Sequence, residues 1–189
     1  MNNHQTPIPD QDLLQRASQG DVEAFGDLYQ RYLDPIYRYV HYRLPNVEEA
    51  EDLTERVFLK IWELICDQKI TKINNFQAWL YRVAHNQVID YHRKKKPITI
   101  DTQEETGLFG KSDLDTESDV QKKLDQQALL AAVEKLDDQS QEVIVLRFMN
   151  DLSHAEVAKI LDLEPGHVRV LQHRAINQLR KIMKDFDHE

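Results

Sequence analysis

This sequence has little of what cross-linked, strand-rich or membrane-spanning chains need. Its 189 residues include one cysteine, Cys66, which excludes an internal disulfide and any cysteine-based zinc cluster. A reducing compartment fits that usage. Five glycines and six prolines are few for this length. Tight turns between strands consume both, so an all-α fold is expected. No apolar run approaches the ~18–20 residues that span a bilayer, so no membrane insertion is expected. The first residues, "MNNHQTPIPDQD", lack the apolar centre of a secretory signal, and the expected location is the cytoplasm. Eight histidines are present, but none forms a His-Glu-x-x-His spacing. No nucleophile elbow or phosphate-cradling loop occurs either. Neither a metal, another cofactor nor an enzymatic activity is expected.

What the chain does have is charge, and it is segregated. Asp and Glu number 33 against 24 Lys and Arg, a formal net charge of −9. The acids gather in "NVEEAED" and across 101–125. The bases gather in "YHRKKK" and in "PGHVRVLQHRAINQLRKIMK", Pro165 to Lys184, which holds five Lys or Arg and no acid. Two separate basic segments in an acidic chain imply two polyanion contacts.

Hydrophobic spacing predicts helices throughout. A short one runs over Asp10–Gln19 and stops at Gly20. Asp21 caps a second that reaches Leu44, with Phe25, Leu28, Tyr29, Tyr32, Leu33, Ile36, Tyr37 and Val40 as its buried stripe and Pro35 as a kink. Asn46 caps a third, with Leu53, Val57, Phe58, Ile61, Trp62 and Ile65 inward and dense acid in its first turns. "QKITKINN" is a loop. A fourth helix follows, "FQAWLYRVAHNQVIDYHRKKK", with Phe76, Trp79, Leu80, Val83, Val88 and Ile89 as core; Cys66 is expected in the core or an interface. The pattern then dissolves into Gly, Ser, Thr and acid, which reads as a flexible acidic linker. Beyond it come "VQKKLDQQALLAAVEKL", a helix started by Asp137 or Asp138, and "SHAEVAKIL". Ser153 and Glu156 form the S-x-x-E capping box that opens this last one. The organisation is two small helical domains, 8–96 and 123–186, joined by the linker 97–122, the second a four-helix domain.

A capped nine-residue helix, the turn "DLEP" and a long basic helix make a helix-turn-helix. At 100° per residue, Val168, Leu171, Ala175, Leu179 and Ile182 share an arc of about 80°. Arg169, Val170, His173, Asn177, Arg180, Lys181 and Lys184 are centred opposite. Such a helix packs down on its apolar stripe and offers cations, amides and His to a major groove and its phosphates. A solvated face is the plain alternative; the cap and turn argue against it. Membrane adsorption fails because bulky apolar anchors are missing from the outward face. The fourth helix interleaves Trp79, Tyr81 and Tyr91 with Arg82, Asn86, Arg93 and Lys94, a composition suited to single-stranded DNA.

These pieces resemble a known family. "AEDLTERVFLKIWE", "FQAWLYRVAHNQVIDYHRKKK" and "LDDQSQEVIVLRFMNDLSHAEVAKILDLEPGHVRVLQHRAINQLRK" look like bacterial RNA polymerase sigma factors of the extracytoplasmic-function (ECF) type, in the family's order. The resemblance covers about 22–96 and 123–184. It implies a factor that docks on core RNA polymerase and directs initiation from promoters. Domain 8–96 would dock and read the minus-10 element as a single strand; domain 123–186 would read the minus-35 element as duplex. Carried over by position, Asp52 would meet the polymerase, supported by Leu53 and Val57, with Glu48 nearby. Arg56 stands where the family has an acid. The loop before the fourth helix, with Ile73, Asn74, Asn75 and Phe76, would take a flipped base, and Asn86 would line that pocket. Arg82, Arg93, Lys94 and Lys95 would hold phosphates. In the second domain Ser153, His167, Arg169, Val170, His173, Arg174, Asn177, Arg180 and Lys181 would meet the minus-35 duplex. Asp162 stands where the turn usually has Gly, a left-handed position that Asp tolerates. An anti-sigma partner is also implied. The competing reading is a helix-turn-helix operator-binding regulator with 1–96 as a dimerisation or sensory domain. It leaves the acidic third helix and the aromatic-basic fourth helix without a joint purpose.

Overall fold

A computed structural model describes residues 8–44, 46–67, 73–95 and 128–186. The linker expected over 97–122, the first part of the helix after it and most of the loop after the third helix lie outside the described residues. Among the described residues every regular element is helical. The chain divides into two compact units. One is built on α1 (Asp10–Ser18), α2 (Val22–His41), α3 (Val47–Cys66) and α4 (Phe76–Lys95). The other is built on α5 (residues 128–134), α6 (Asp138–Ile144), α7 (His154–Leu161) and α8 (Pro165–Phe186).

In the first unit α1 ends where Gly20 turns with φ +92°, a value side-chain-bearing residues rarely adopt. Asp21 then caps α2, accepting from the Ala24 amide at 3.1 Å and from Arg16 Nε at 2.8 Å. Those bonds, the Ala24 amide first, hold its carboxyl below the usual range. α2 runs on through Pro35, which can offer no N–H to the carbonyl four residues back. It stops at His41 rather than Leu44, because Tyr42–Leu44 turn inward and bury Arg43 and Leu44. The Arg43 carbonyl then accepts from His92 Nε2 at 2.9 Å.

The aromatic stripe of α2 serves two neighbours. Phe25 meets Trp62 at 4.8 Å between ring centroids and Tyr29 meets Phe58 at 4.7 Å, both on α3. Tyr32 meets Phe76 at 5.4 Å and Tyr39 meets Tyr81 at 5.7 Å, both on α4. The last three are edge-to-face and Phe25–Trp62 is tilted at 49°; edge-to-face pairs add ~0.5–1.5 kcal/mol each beyond area burial. Around them Leu13, Leu28, Ile36, Val57, Ile61, Ile65, Leu80 and Val88 are buried.

Two expectations for this unit need correction. Ile89 is 44% exposed, and the buried face of α4 is Phe76, Leu80, Tyr81, Ala84 and Val88. The small Ala84 and the long Tyr81 fill the inward positions, which turns Ile89 out. Cys66 is exposed at the last turn of α3, which removes the core half of its expected placement in the core or an interface.

In the second unit Asp137 caps α6, its carboxylate accepting from the Ser140 amide at 3.0 Å. The last turn, Val145–Met149, widens to a π-helix. Its end is tied by the Asn150 amide, which donates to the Val145 carbonyl at 3.1 Å. Ser153 and Glu156 close the predicted capping box at the start of α7. Asp162 takes the left-handed conformation, φ 57° and ψ 46°, as the α7 cap, so the turn forms without glycine. Val168, Leu171, Ala175 and Leu179 of α8 are buried as the wheel predicts, against a core that includes Val143, Leu146, Val157 and Ile160.

Candidate nucleic-acid interface

The basic helix α8 presents a continuous outward row. His167, Arg169, Val170, His173, Arg174, Arg180 and Lys181 are exposed, and Asn177 is half-buried. Val170 is 46% exposed among them. Along this face the Asn177 amide nitrogen lies 3.3 Å from His173 Nδ1, and Arg180 donates to Asn177 Oδ1 at 3.3 Å. Asn177 thereby spaces His173 and Arg180 along one side of the helix. Such a row offers donors and acceptors to base edges at the N-terminal half and cations to phosphates farther along. Ser153 is exposed at the head of α7, and its hydroxyl accepts the Glu156 amide at 3.2 Å. The hydroxyl proton stays available to an outside acceptor.

A side-chain network that the sequence did not announce seats this helix. Gln172 Oε1 accepts from Arg147 Nε at 3.2 Å and from His154 Nε2 at 2.8 Å. Arg147 also donates to the Leu152 carbonyl. One amide oxygen on α8 therefore joins the π-turn and the first residue of α7. The available signal was only that Gln172 follows Leu171 and faces the flank of the stripe, too weak to name its partners.

In the first unit α4 carries a second outward row. Trp79, Arg82, Asn86, Ile89 and Arg93 fall within one arc of about 80°. Arg82, Asn86, Ile89 and Arg93 are exposed and Trp79 is half-buried, its ring against Phe76 at 5.9 Å. Ile89 thus joins the expected cations and amide, and its spacing of three from Asn86 and seven from Arg82 was the missed signal. Arg93 pairs with Asp90 of its own helix at 2.9 Å with 76% of its side chain exposed, and Lys94 is exposed. Lys95 is bonded to Glu49 at 2.5 Å.

The aromatic platform changes identity. Tyr81 is 1% exposed, so its ring is not displayed for stacking as the composition suggested, while Tyr91 is half-buried and donates its hydroxyl to Glu49. The loop residues also separate. Asn74 is exposed, while Ile73 and Phe76 are buried. The Asn75 side chain accepts the Ala78 amide at 2.9 Å, capping α4. Phe76 is therefore a core residue held by Tyr32, and Asn75 a cap; of the four loop residues expected to take a base, Asn74 is the one left fully outward.

On α3 the residues expected to meet a protein partner divide by depth. Asp52 and Glu48 are exposed, while Leu53 and Val57 are buried beneath them. Asp52 reaches toward Arg56 at 3.9 Å, with 70% and 64% of the two side chains exposed. A pair so open is worth little, so both ends stay available to outside charges. Among the described residues no helix is long and apolar enough to cross a membrane, and no group of His, Cys, Asp and Glu could hold a metal ion.

Comparison with known proteins matches two family models to the two units: Sigma-70 region 2 over residues 28–98 and Sigma-70 region 4 over residues 132–181. The chain is 35% identical over 188 residues to the ECF RNA polymerase sigma factor BldN of Streptomyces coelicolor, covering 96% of this chain and 71% of that one. It is 32% identical over 185 residues to the ECF RNA polymerase sigma factor SigW of Bacillus subtilis, covering 91% and 95%. Among solved structures, CnrH in complex with the cytosolic domain of CnrY has a TM-score of 0.72 at 23% identity, covering 93% and 97%. The sigma factor RpoE in complex with the anti-sigma factor NepR, from Bartonella quintana, has a TM-score of 0.62 at 20% identity, covering 85% and 96%. Both share the fold.

Proposed function

This chain belongs to the extracytoplasmic-function family of RNA polymerase sigma factors, which bind RNA polymerase and direct promoter-specific initiation of transcription, and from that premise we propose how its residues divide the task. The unit built on α5–α8 reads the minus-35 duplex with His167, Arg169, Val170, His173 and Arg174, while Asn177, Arg180, Lys181 and Ser153 meet the backbone. The unit built on α1–α4 binds the minus-10 strand through Asn74, Arg82, Asn86, Ile89, Arg93 and Lys94. Asp52 docks on core polymerase from the exposed face of α3, with Glu48 beside it and Leu53 and Val57 fixing the helix from below. The factor works as a cytoplasmic initiation subunit and carries out no catalysis of its own.

The observation that carries this reading is the occurrence of both matched regions on one chain, each with an outward row of cations and amides opposite a buried stripe. An operator-binding regulator accounts for α8 alone. The similarity in fold to the sigma factor RpoE bound to the anti-sigma factor NepR supports an anti-sigma partner for this chain as well. Co-elution tests the docking half: the purified chain is expected to travel with core polymerase on gel filtration, and an absence of complex at micromolar concentration rejects it.

A further inference from the structure

The basic end of α4 is not uniform. Arg93, Lys94 and Lys95 are consecutive, so they point in three directions around the helix. Lys95 Nζ lies 2.5 Å from Glu49 Oε1 and donates to the Tyr91 hydroxyl oxygen at 2.8 Å. That hydroxyl donates in turn to the other oxygen of Glu49 at 2.5 Å. Three groups from α3 and α4 thus close a ring of hydrogen bonds. The ammonium also sits 5.3 Å from the centre of the Tyr91 ring. The ring forms one wall of a groove of about 320 Å³ that Leu53, Arg56, Gln87 and Lys94 also line.

An ordinary surface pair is worth ~0–1 kcal/mol, and a DNA phosphate would take its cation. Several features set this one apart. The Glu49 side chain is only 29% exposed, which weakens screening by salt. Both carboxylate oxygens are used, and each bond in a closed chain polarises the next. Glu49 lies in the first turn of α3, where the positive end of the helix favours a carboxylate. The bond to Glu49, then the bond to Tyr91, push the Lys95 ammonium up to about 12. The neighbours differ in their partners: Arg93 has its pair on its own helix, whereas Lys95, though 54% of its side chain is exposed, is paired across to α3.

We propose that Glu49 is a built-in phosphate surrogate: it holds Lys95 and Tyr91 as positioning residues that fix the end of α4 on α3, and it keeps Lys95 off the DNA backbone, leaving that contact to Arg93 and Lys94. This rests on the promoter-binding reading above. The carboxylate sets how many cations the helix end spends on DNA, and hence the salt dependence of promoter binding. Side-chain composition alone, four bases in a row, overstates that number.

The test is the dependence of promoter-duplex binding on salt, measured for the holoenzyme reconstituted with core polymerase. Each phosphate neutralised contributes about 0.7 to the slope of log K against log salt on a single strand and about 0.9 on duplex. Lys94→Ala is expected to lower the slope by about 0.7–0.9, whereas Lys95→Ala and Lys95→Met leave it unchanged. Glu49→Gln is expected to raise it by about 0.7–0.9, because the released Lys95 now reaches a phosphate. Adding Lys95→Ala to Glu49→Gln returns the wild-type slope. A purely structural role for the ring would change affinity and thermal midpoint without changing the slope. A Lys95 variant that lowers the slope as Lys94→Ala does, or a Glu49→Gln slope equal to wild type, overturns the proposal. Wild-type holoenzyme that shows no promoter retention at any salt instead overturns the promoter reading, and this proposal with it.

Discussion

Replacing Gln172 with alanine tests whether the network on its amide oxygen seats the recognition helix. The change removes two hydrogen bonds, one from Arg147 at 3.2 Å and one from His154 at 2.8 Å. A neutral bond contributes a net ~0.5–1.5 kcal/mol, and one to a charged group ~1.5–3 kcal/mol. All three side chains are half-buried, so water replaces part of what is lost. Arg147 also keeps its bond to the Leu152 carbonyl. The low end of each range gives about 2 kcal/mol, or roughly a 30-fold loss, since 1.4 kcal/mol is tenfold. Amide hydrogen exchange reads this locally, because protection follows the opening free energy of each segment. The amides of α7 and of the first half of α8 should exchange about 30-fold faster in Gln172→Ala. Those of α4 should not change. Gln172→Glu, which keeps an acceptor for both donors, should restore protection. Gln178 is exposed on the same helix, and Gln178→Ala should be silent. Protection of α7 and α8 within threefold of wild type would refute the reasoning.

Four further outcomes are expected. Val170→Ser should change minus-35 base preference, with a single-base discrimination of ~1–3 kcal/mol, because an outward valine packs on a thymine methyl and a serine bonds a base edge. Arg180→Ala should instead weaken binding to all sequences alike and lower the salt slope by about 0.9; equal effects of the two changes on base preference would refute that division. Asp52→Lys should weaken co-elution with core polymerase at least tenfold while leaving the thermal midpoint unchanged, since 70% of the side chain is exposed; titration with labelled core measures the first and calorimetry the second. Stability should fall in acid as the caps Asp21 and Asp137 protonate. Both carboxyls lie below their ordinary value, Asp21 chiefly through the Ala24 amide and Asp137 chiefly through Ser140. Their contribution is present above about pH 4 and lost as pH drops through the lower folded values. Asp21→Ala and Asp137→Ala should flatten urea-unfolding stability against pH below 4, and profiles parallel to wild type would count against the caps.

The helix-turn-helix was the most legible part of the chain, for physical reasons. Its stripe holds one period over four turns, its cap is a two-residue reciprocal bond, and Asp162 can supply the left-handed turn at modest cost. α4 was harder because its apolar residues lie on more than one side. Trp79 and Ile89 carry far more apolar surface than Ala84, yet Ala84 is wholly buried and Ile89 faces outward beside Asn86 and Arg82. Packing against α2 decided that, through Tyr32 on Phe76 and Tyr39 on Tyr81, and such pairings join residues over forty positions apart. The same reason hid the Gln172 network and the Glu49 ring, whose members come from different helices. Caps were readable where the capping residue stands alone, as at Asp21. At Asn75 the same chemistry was read as a base contact and the structure shows a cap, since an asparagine before a helix suits both roles until its partner is known.

Run-off transcription bears most directly on the central claim, that this one chain both docks on RNA polymerase and selects promoters. Core polymerase with the purified factor should yield discrete transcripts from genomic fragments of the source organism, with start sites that share two short upstream sequence elements. Core alone should not yield them, and the transcripts should vanish with Asp52→Lys. A factor that binds core yet yields no transcript above core alone from any fragment, or one that retains duplex DNA without polymerase and represses, would contradict the account.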